Sequence, residues 1–454
     1  MKFSTLLLYI GLILTGSKTL AQNESQPCAT EEPHFLWEEA FQKLIHERLA
    51  SGEETKKISN QYVIPVVFHI VHGGQSVGTY PNLSPGQIQS QLTILNQDFS
   101  GNSYNASDYP ANAFVNWAAS QNIPSANLDP NGIIKIADFN IQFCPATRDT
   151  NGNPMSEPGI DRINYMAKGW PDPTQFATQT TMKTYLDNVV KPQSVWNVTK
   201  YLNIWITDKS TALSYAGVSS VPPLSGLSDI PNSATATTDG IWCFSKAIGS
   251  FALFPSGSYI SQFIDGRTLT HETGHYLGLR HIWGDAACGN DFCADTPPAA
   301  DQNTGTPAYP HNAGSCTSPS LNIDGEMFMN FMDYTRGPSK YMFTTDQKTR
   351  AQTAMLNSPF RNQLGTHDLC DAVTAIREVQ SGENIRLFPN PAAGILRISA
   401  GTQTIRRVQI LNQTGQIVAE SRASEVSVDK FCTGIYLVKV QTEKGIFSLK
   451  FSKL

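Results

Sequence analysis

No stretch of this 454-residue chain is apolar over the roughly 18 residues that a membrane-spanning helix needs, so no transmembrane anchor is expected. Charge of one sign is lacking too. The 33 Lys and Arg against 38 Asp and Glu leave a net charge of −5, with no long basic run. Phosphate binding wants a basic face, so nucleic acid is not expected as a partner. Cysteine is sparse, with eight residues, so disulfides can be local staples but not the framework of the fold. The length exceeds what one core organises, and two or more domains are expected.

What is present divides the chain into regions. Lys2, the short apolar run Leu6–Leu14 and the small-residue site Thr19-Leu20-Ala21 read as a secretory signal over 1–21, with a buried N-terminal helix as the alternative. Residues 22–57 are polar and helix-prone. Leu36, Ala40, Leu44 and Ile45 lie at helical spacing, and the stretch ends in Glu53-Glu54-Thr55-Lys56-Lys57. Residues 58–370 read as α/β. Tyr62–Val71 and Tyr201–Thr207 are strand runs. Ser84-Pro85 opens a helix whose apolar face is Ile88, Leu92, Leu95 and Phe99. From Gly284 to about Gly325 the chain is irregular. Residues 371–382 read as a linker. Over 383–454 short apolar runs alternate with Asn390-Pro391, Thr414-Gly415, Thr433-Gly434 and Lys444-Gly445, which predicts a small all-β sandwich.

The informative stretch is His271-Glu272-Thr273-Gly274-His275-Tyr276-Leu277-Gly278-Leu279-Arg280-His281. Residues four apart share a helix face, so His271 and His275 can offer two imidazoles to one zinc ion, with Glu272 beside them as general base to a zinc-activated water. A third ligand is needed, and the fourth position stays open. His281 lies too far along a straight helix. Gly278 accepts the left-handed conformation that ends the helix and turns the chain back. Non-metal histidines on a helix are the bland alternative.

This stretch resembles the long zinc signature of metzincins, and Asn330-Phe331-Met332-Asp333-Tyr334 resembles their Met-turn. With Asp295-Thr296-Pro297 the pattern is similar to the pappalysin (ulilysin-like) branch over roughly residues 58–360. The resemblance implies a twisted mixed sheet with an active-site helix and an irregular C-terminal subdomain. It implies a metalloendopeptidase acting on protein and peptide substrates. Met332 would form an apolar floor below the metal, and Tyr334 would stabilise the oxyanion. Residues 22–57 would then be a propeptide, with Cys28 as a temporary zinc ligand and cleavage near Lys56-Lys57. The resemblance also implies calcium in the loop after the third histidine, where Asp285, Asp291 and Asp295 supply hard oxygen ligands, and a bridge Cys288–Cys316, for which Cys293 competes. Where the family has acids after the Met-turn this chain has Arg336 and Lys340, so cleavage before arginine is not expected. His69, His72 and His311 read as structural.

The tail resembles the C-terminal sorting domain of type IX secretion, through Leu387-Phe388-Pro389-Asn390-Pro391-Ala392, Gly434-Ile435-Tyr436-Leu437-Val438 and the basic end Lys450–Leu454. That implies the type IX machinery as a partner and a secreted or surface-attached product. The alternatives are a non-catalytic secreted adhesin on a protease scaffold and a zinc hydrolase of non-peptide amides. The substrate-pairing sheet edge is expected near Trp242–Ser250.

Overall fold

Strand β1 (Tyr62–His72) is apolar nearly throughout, as a strand covered on both faces must be. In the computed structural model it is the hub of a six-stranded sheet, ordered β2-β1-β4-β6-β5 with β3 also on β1. These are β2 (Ile141–Pro145), β3 (Ile160–Asn164), β4 (Leu202–Thr207), β5 (Gly217–Ser219) and β6 (Ile241–Phe244). All pairings are parallel except β5 on β6, which makes the sheet mixed, as expected. Pro65 pairs with Cys144 of β2 one residue before pairing with β4 begins at Val66, so the missing N–H disrupts no ladder on that side. The structure describes residues 28–31, 35–51, 61–224, 234–312, 314, 316, 323–367, 369–370, 385–401, 403–412, 417–442 and 445–453. The signal at 1–21, the dibasic pair Lys56-Lys57 and the whole 371–382 linker lie outside them.

Period-two alternation sorts the sheet's side chains between two layers. Ile64, Val66, Phe68, Ile70, Leu202, Ile204 and Ile206 enter one buried cluster, with Ile88, Leu92, Leu95 and Phe99 of α2 (Pro85–Phe99). Val71, Trp205 and Trp242 enter the opposite one. Ser84 caps α2 and Pro85 begins it, as expected. After α2 come the short α3 (Val115–Ser120) and α4 (Gln179–Tyr185), the latter supplying Met182 and Tyr185 to the second layer. The helix of the zinc motif, α5 (Arg267–Tyr276), lies on the α2 side. A longer C-terminal helix, α6 (Thr345–Asn357), is closed by a capping box between Thr344 and Gln347. The N-terminal helix α1 (Phe35–Ser51) packs against α6.

The chain forms two compact units, Met1–Cys370 and Asp371–Leu454. In the second, β7 (Arg386–Phe388), β8 (Ile395–Ser399) and β11 (Glu425–Ser427) form one antiparallel sheet. The strands β9 (Ile405–Leu411), β10 (Ile417–Ser421), β12 (Gly434–Thr442) and β13 (Gly445–Lys453) form another. Leu396, Ile398, Val426, Val408, Ile410, Val438 and Val440 meet in one core, which is an all-β sandwich.

Two disulfides lie in the first unit. Cys288–Cys316 is the expected bridge, leaving Cys293 a buried free thiol. Cys144–Cys370, 226 residues apart, ties β2 to the end of the unit; nothing in the local sequence pattern pointed to it.

Candidate active site

Two features hold α5 in place before any ligand is considered. At its start Arg267 pairs with Asp98 of α2 at 2.9 Å, and Thr270 donates to the same carboxylate at 2.7 Å. At its end two buried arginines receive the carbonyls that a helix C-terminus leaves unpaired. Arg361 donates to Tyr276 O at 3.0 Å, and Arg350 donates to Gly278 O at 3.1 and 2.9 Å. Gly278 stands at φ +88°, and Leu279 N closes the turn on Gly274 O at 3.0 Å.

The turn brings His281 back beside His271 and His275. Their Nε2 atoms lie 3.1 to 3.2 Å apart in all three pairs. Each Nδ1 is already committed: His271 to Phe331 O at 2.7 Å, His275 to Leu279 O at 2.9 Å, and His281 to Asp285 Oδ1 at 2.7 Å. Because these acceptors require Nδ1–H, the three Nε2 atoms carry lone pairs, and three lone pairs so close repel unless a cation lies among them. Zinc with nitrogen ligands at about 2.0 Å needs them roughly 3.3 Å apart, so the donor set fits it. Burial keeps His271 and His275 well below the ordinary imidazole pKa, their neighbouring imidazoles adding to the effect, which favours the neutral, ligating form.

Around the histidines stand the other expected residues. Met332 is fully buried under Gly274, and Asn330 Oδ1 accepts from Met332 N at 2.9 Å to shape the turn. Tyr334 meets His281 edge-on at 4.9 Å, and Trp283 stacks on His281 at 4.4 Å. Glu272 is fully buried, and burial pushes its carboxyl up to about 8, against hydrogen bonds from Thr30 and Cys28. It lies against β5. A methyl at Gly217 would meet Glu272 Cγ at 2.6 Å, so only glycine lets the carboxylate lie there. Lys340 is buried, and its charge acts on both Glu272 and His271, whereas Arg336 is exposed.

The segment Cys28–Thr30 occupies this cleft. Cys28 bridges to Gly217 of β5 in the parallel sense, and Ala29 N donates to Gly217 O at 3.0 Å. Among the described residues, Cys28 and the three histidines are the one group whose ligand atoms all lie within 4.8 Å of one another. Thr30 Oγ1 donates to Glu272 Oε2 at 2.7 Å and accepts from Ser219 N at 2.7 Å, while Tyr334 donates to Cys28 O at 3.4 Å.

Two expectations need correction. The sheet edge beside the site is β5, not Trp242–Ser250: β6 is an inner strand, because the three-residue β5 adds to it. Nor, among the described residues, do Asp285, Asp291 and Asp295 come together as one group of candidate metal ligands. Asp285 serves His281, Asp291 accepts from Thr296 Oγ1 at 2.8 Å, and Asp295 accepts from Thr344 Oγ1 at 2.6 Å. Sequence reasoning missed Asp285 as an imidazole partner, Trp283, and Thr30. The i+4 spacing of Asp285 from His281 was the one local signal available. His69 bonds Asp161 and Asn203 at 2.8 and 2.9 Å, and His311 packs edge-on to Phe328, the structural roles expected of them.

Comparison with known proteins agrees with the site. Residues 184–356 match peptidase family M43, described as pregnancy-associated plasma protein-A, and residues 386–453 match the secretion system C-terminal sorting domain. An extracellular metalloprotease of Colletotrichum graminicola is 26% identical over 365 residues, 77% of this chain and 95% of that one. Mature mirolysin of Tannerella forsythia, solved with a cleaved peptide, is 30% identical with a TM-score of 0.52, over 69% of this chain and 99% of that one. A promirolysin mutant from the same organism gives 30% identity and a TM-score of 0.52, over 75% and 97%. The chain belongs to the pappalysin-like metalloproteases of the metzincin class, and is a secreted metalloendopeptidase with a type IX sorting tail.

Proposed function

We propose that this chain is a latent zinc endopeptidase in which His271, His275 and His281 hold one zinc ion and Glu272 is the general base. The observation that carries the reading is the convergence of three Nε2 lone pairs at 3.1 to 3.2 Å with Glu272 beside them. Zinc, when bound, supplies a Lewis acid that acidifies water and polarises the scissile carbonyl. Glu272 Oε2 takes the water's proton and returns it to the leaving amine. Tyr334 offers its hydroxyl to the carbonyl oxygen as charge develops there. Burial, led by desolvation with the nearby Cys28 and Glu272 adding to it, raises the phenol's pKa, so it stays a donor. Substrate lies extended along β5, where Gly217 and Ser219 already pair with a peptide segment. The mirolysin structure with a cleaved peptide supports a peptide as the ligand of such a cleft.

In this reading 1–21 is the signal, 22–57 the propeptide, 58–370 the catalytic domain, 371–382 the linker and 383–454 the sorting domain. Cys28 is the removable fourth ligand, favoured by its place among the histidines. Thr30 holds Glu272 and Cys28 O occupies the Tyr334 hydroxyl, so the propeptide engages base, metal ligands and oxyanion donor together. We assign no calcium to the loop carboxylates.

The test is turnover of casein and a mixed peptide library by activated protein, beside Glu272→Ala and a chelator-treated sample. A fall of about 10²-fold or more in each control is expected. One bound zinc with an inert, fully processed wild type would favour the adhesin reading. Cys28→Ser should give activity without any cut.

A further inference from the structure

Helix α1 anchors by a surface of its own, apart from the Cys28–Thr30 segment in the cleft. Trp37 and Phe41 are 2% and 0% exposed, meet in a tilted ring contact at 4.6 Å, and pack with Leu224 and Ala354. Trp37 Nε1 donates to Pro222 O at 2.6 Å. A methyl at Gly278 would meet Phe41 at 3.3 Å and Trp37 at 3.5 Å, so the aromatic pair rests on the turn behind the zinc helix. Glu38 takes both Arg350 Nη atoms at 2.7 and 3.1 Å, and Arg280 approaches it at 3.5 Å. Ten residues on, about 15 Å along the helix, Arg48 donates to Thr349 O at 2.9 Å, Thr353 Oγ1 at 3.1 Å and Gln352 Oε1 at 2.8 Å.

An aromatic pair and an acid in the N-terminal half and a base near the C-terminal end each meet a complementary partner. None of these contacts passes through the 53–57 linker, so a cut there leaves them all intact. We propose that α1 is a docking helix that keeps the severed propeptide on the catalytic unit as a non-covalent inhibitor, positioning Cys28–Thr30 in the cleft. Cutting the linker changes only the effective concentration of the inhibitor, from the millimolar range of a tether to that of the protein itself. Activity then follows mass action: it appears when α1 dissociates, or when a further cut separates Cys28–Thr30 from α1. The inference rests on the zymogen reading above.

The full chain carrying a foreign protease site in the 53–57 linker provides the test. After the cut, specific activity on casein should be suppressed at micromolar protein and rise on dilution. Catalytic unit freed of the fragment by chromatography should be inhibited by a peptide of residues 26–51 at least 100-fold more strongly than by one of residues 26–32. Phe41→Ala and Glu38→Gln in the long peptide should each weaken it at least tenfold. Activity independent of dilution, or equal potency of the two peptides, overturns the proposal. A freed unit that is inert on every substrate counts against the peptidase reading instead. In that case fluorescence anisotropy of the labelled long peptide, with and without Phe41→Ala, still decides whether α1 docks.

Discussion

Gly274 stands between the two helical histidines, and its missing side chain can be weighed. An added Cβ would fall on Met332 Sδ well inside 3.0 Å, where ordinary carbon contacts begin near 3.5 Å. The other near neighbour, Leu279 Cδ1 at 3.4 Å, is an ordinary contact. Gly274→Ala should gain about 1 kcal/mol of helix propensity and lose about 1–3 kcal/mol to overpacking, a net loss of up to about 2 kcal/mol. Met332→Ala alone opens a cavity and should cost about 2–5 kcal/mol. In that background the clash is gone and only the propensity gain remains. Gly274→Ala should therefore destabilise the wild type but stabilise the Met332→Ala protein by about 1 kcal/mol. Urea unfolding followed by tryptophan emission is suited to this. All seven tryptophans precede residue 284, so the signal reports the first unit alone. A Glu272→Gln background prevents self-digestion. If Gly274→Ala has the same sign in both backgrounds, Met332 does not press on the helix and its role as a floor fails.

Three further outcomes follow from single contacts. Arg361→Ala removes the cation held by Asp239 at 2.6 and 2.9 Å, both groups being buried, and should cost about 3–5 kcal/mol, seen as a fall in Tm on the order of 10 °C; Arg361→Lys, lacking the planar fork, should not restore it. Burial pushes the Glu38 carboxyl up, but the charge and hydrogen bonds of Arg350, with Gln42 and Arg280, outweigh it and hold the pKa below its ordinary 4.5. A depressed carboxyl stabilises above its ordinary value and loses that contribution as pH falls through the folded one, so α1 docking should be flat from about pH 5 to 8 and weaken in stronger acid. Hydrogen exchange of α1 amides measures this, and Glu38→Gln should flatten the profile. Finally, the charge of Lys340, buried yet acting on Glu272 and His271, should keep arginine from being enriched after the cleaved bond in a peptide library; clear enrichment would refute that electrostatic reach into the cleft.

Much of the fold was legible because its signals are local. The alternation in β4, the Ser84-Pro85 start of α2, and the four-residue spacing of His271 and His275 each lie within one element, where side-chain direction follows from backbone period. Gly278 was legible because one residue type is suited to that backbone. What escaped is non-local. The edge strand β5 has three residues, too few for any periodicity, and its value lies in Gly217 approaching Glu272 across 55 positions of sequence. Thr30 reaches Glu272 over a separation of 242 residues. The loop acids were read by their type as metal ligands, yet each satisfies a nearby donor, a use that composition cannot distinguish from ion binding.

Arg350 joins latency to catalysis in one side chain. It caps Gly278 O, the carbonyl at the turn that presents His281, and it also holds Glu38 of α1. Two demands therefore fall on one buried guanidinium. When α1 leaves, the charge remains beside the helix terminus, whose partial negative charge still favours it. Its partner carboxylate is lost, and a buried cation without a counter-charge is costly. Departure of α1 is thus opposed electrostatically as well as by the apolar contact, while the cap on Gly278 persists throughout. That division explains how one arginine can hold the inhibitor without making the zinc turn depend on it. Arg350→Ala should then both loosen α1 and weaken zinc retention, whereas Glu38→Gln should loosen α1 alone. The two variants, compared by chelator competition for zinc, separate these roles; equal loss of zinc in both would show that the turn depends on the propeptide after all.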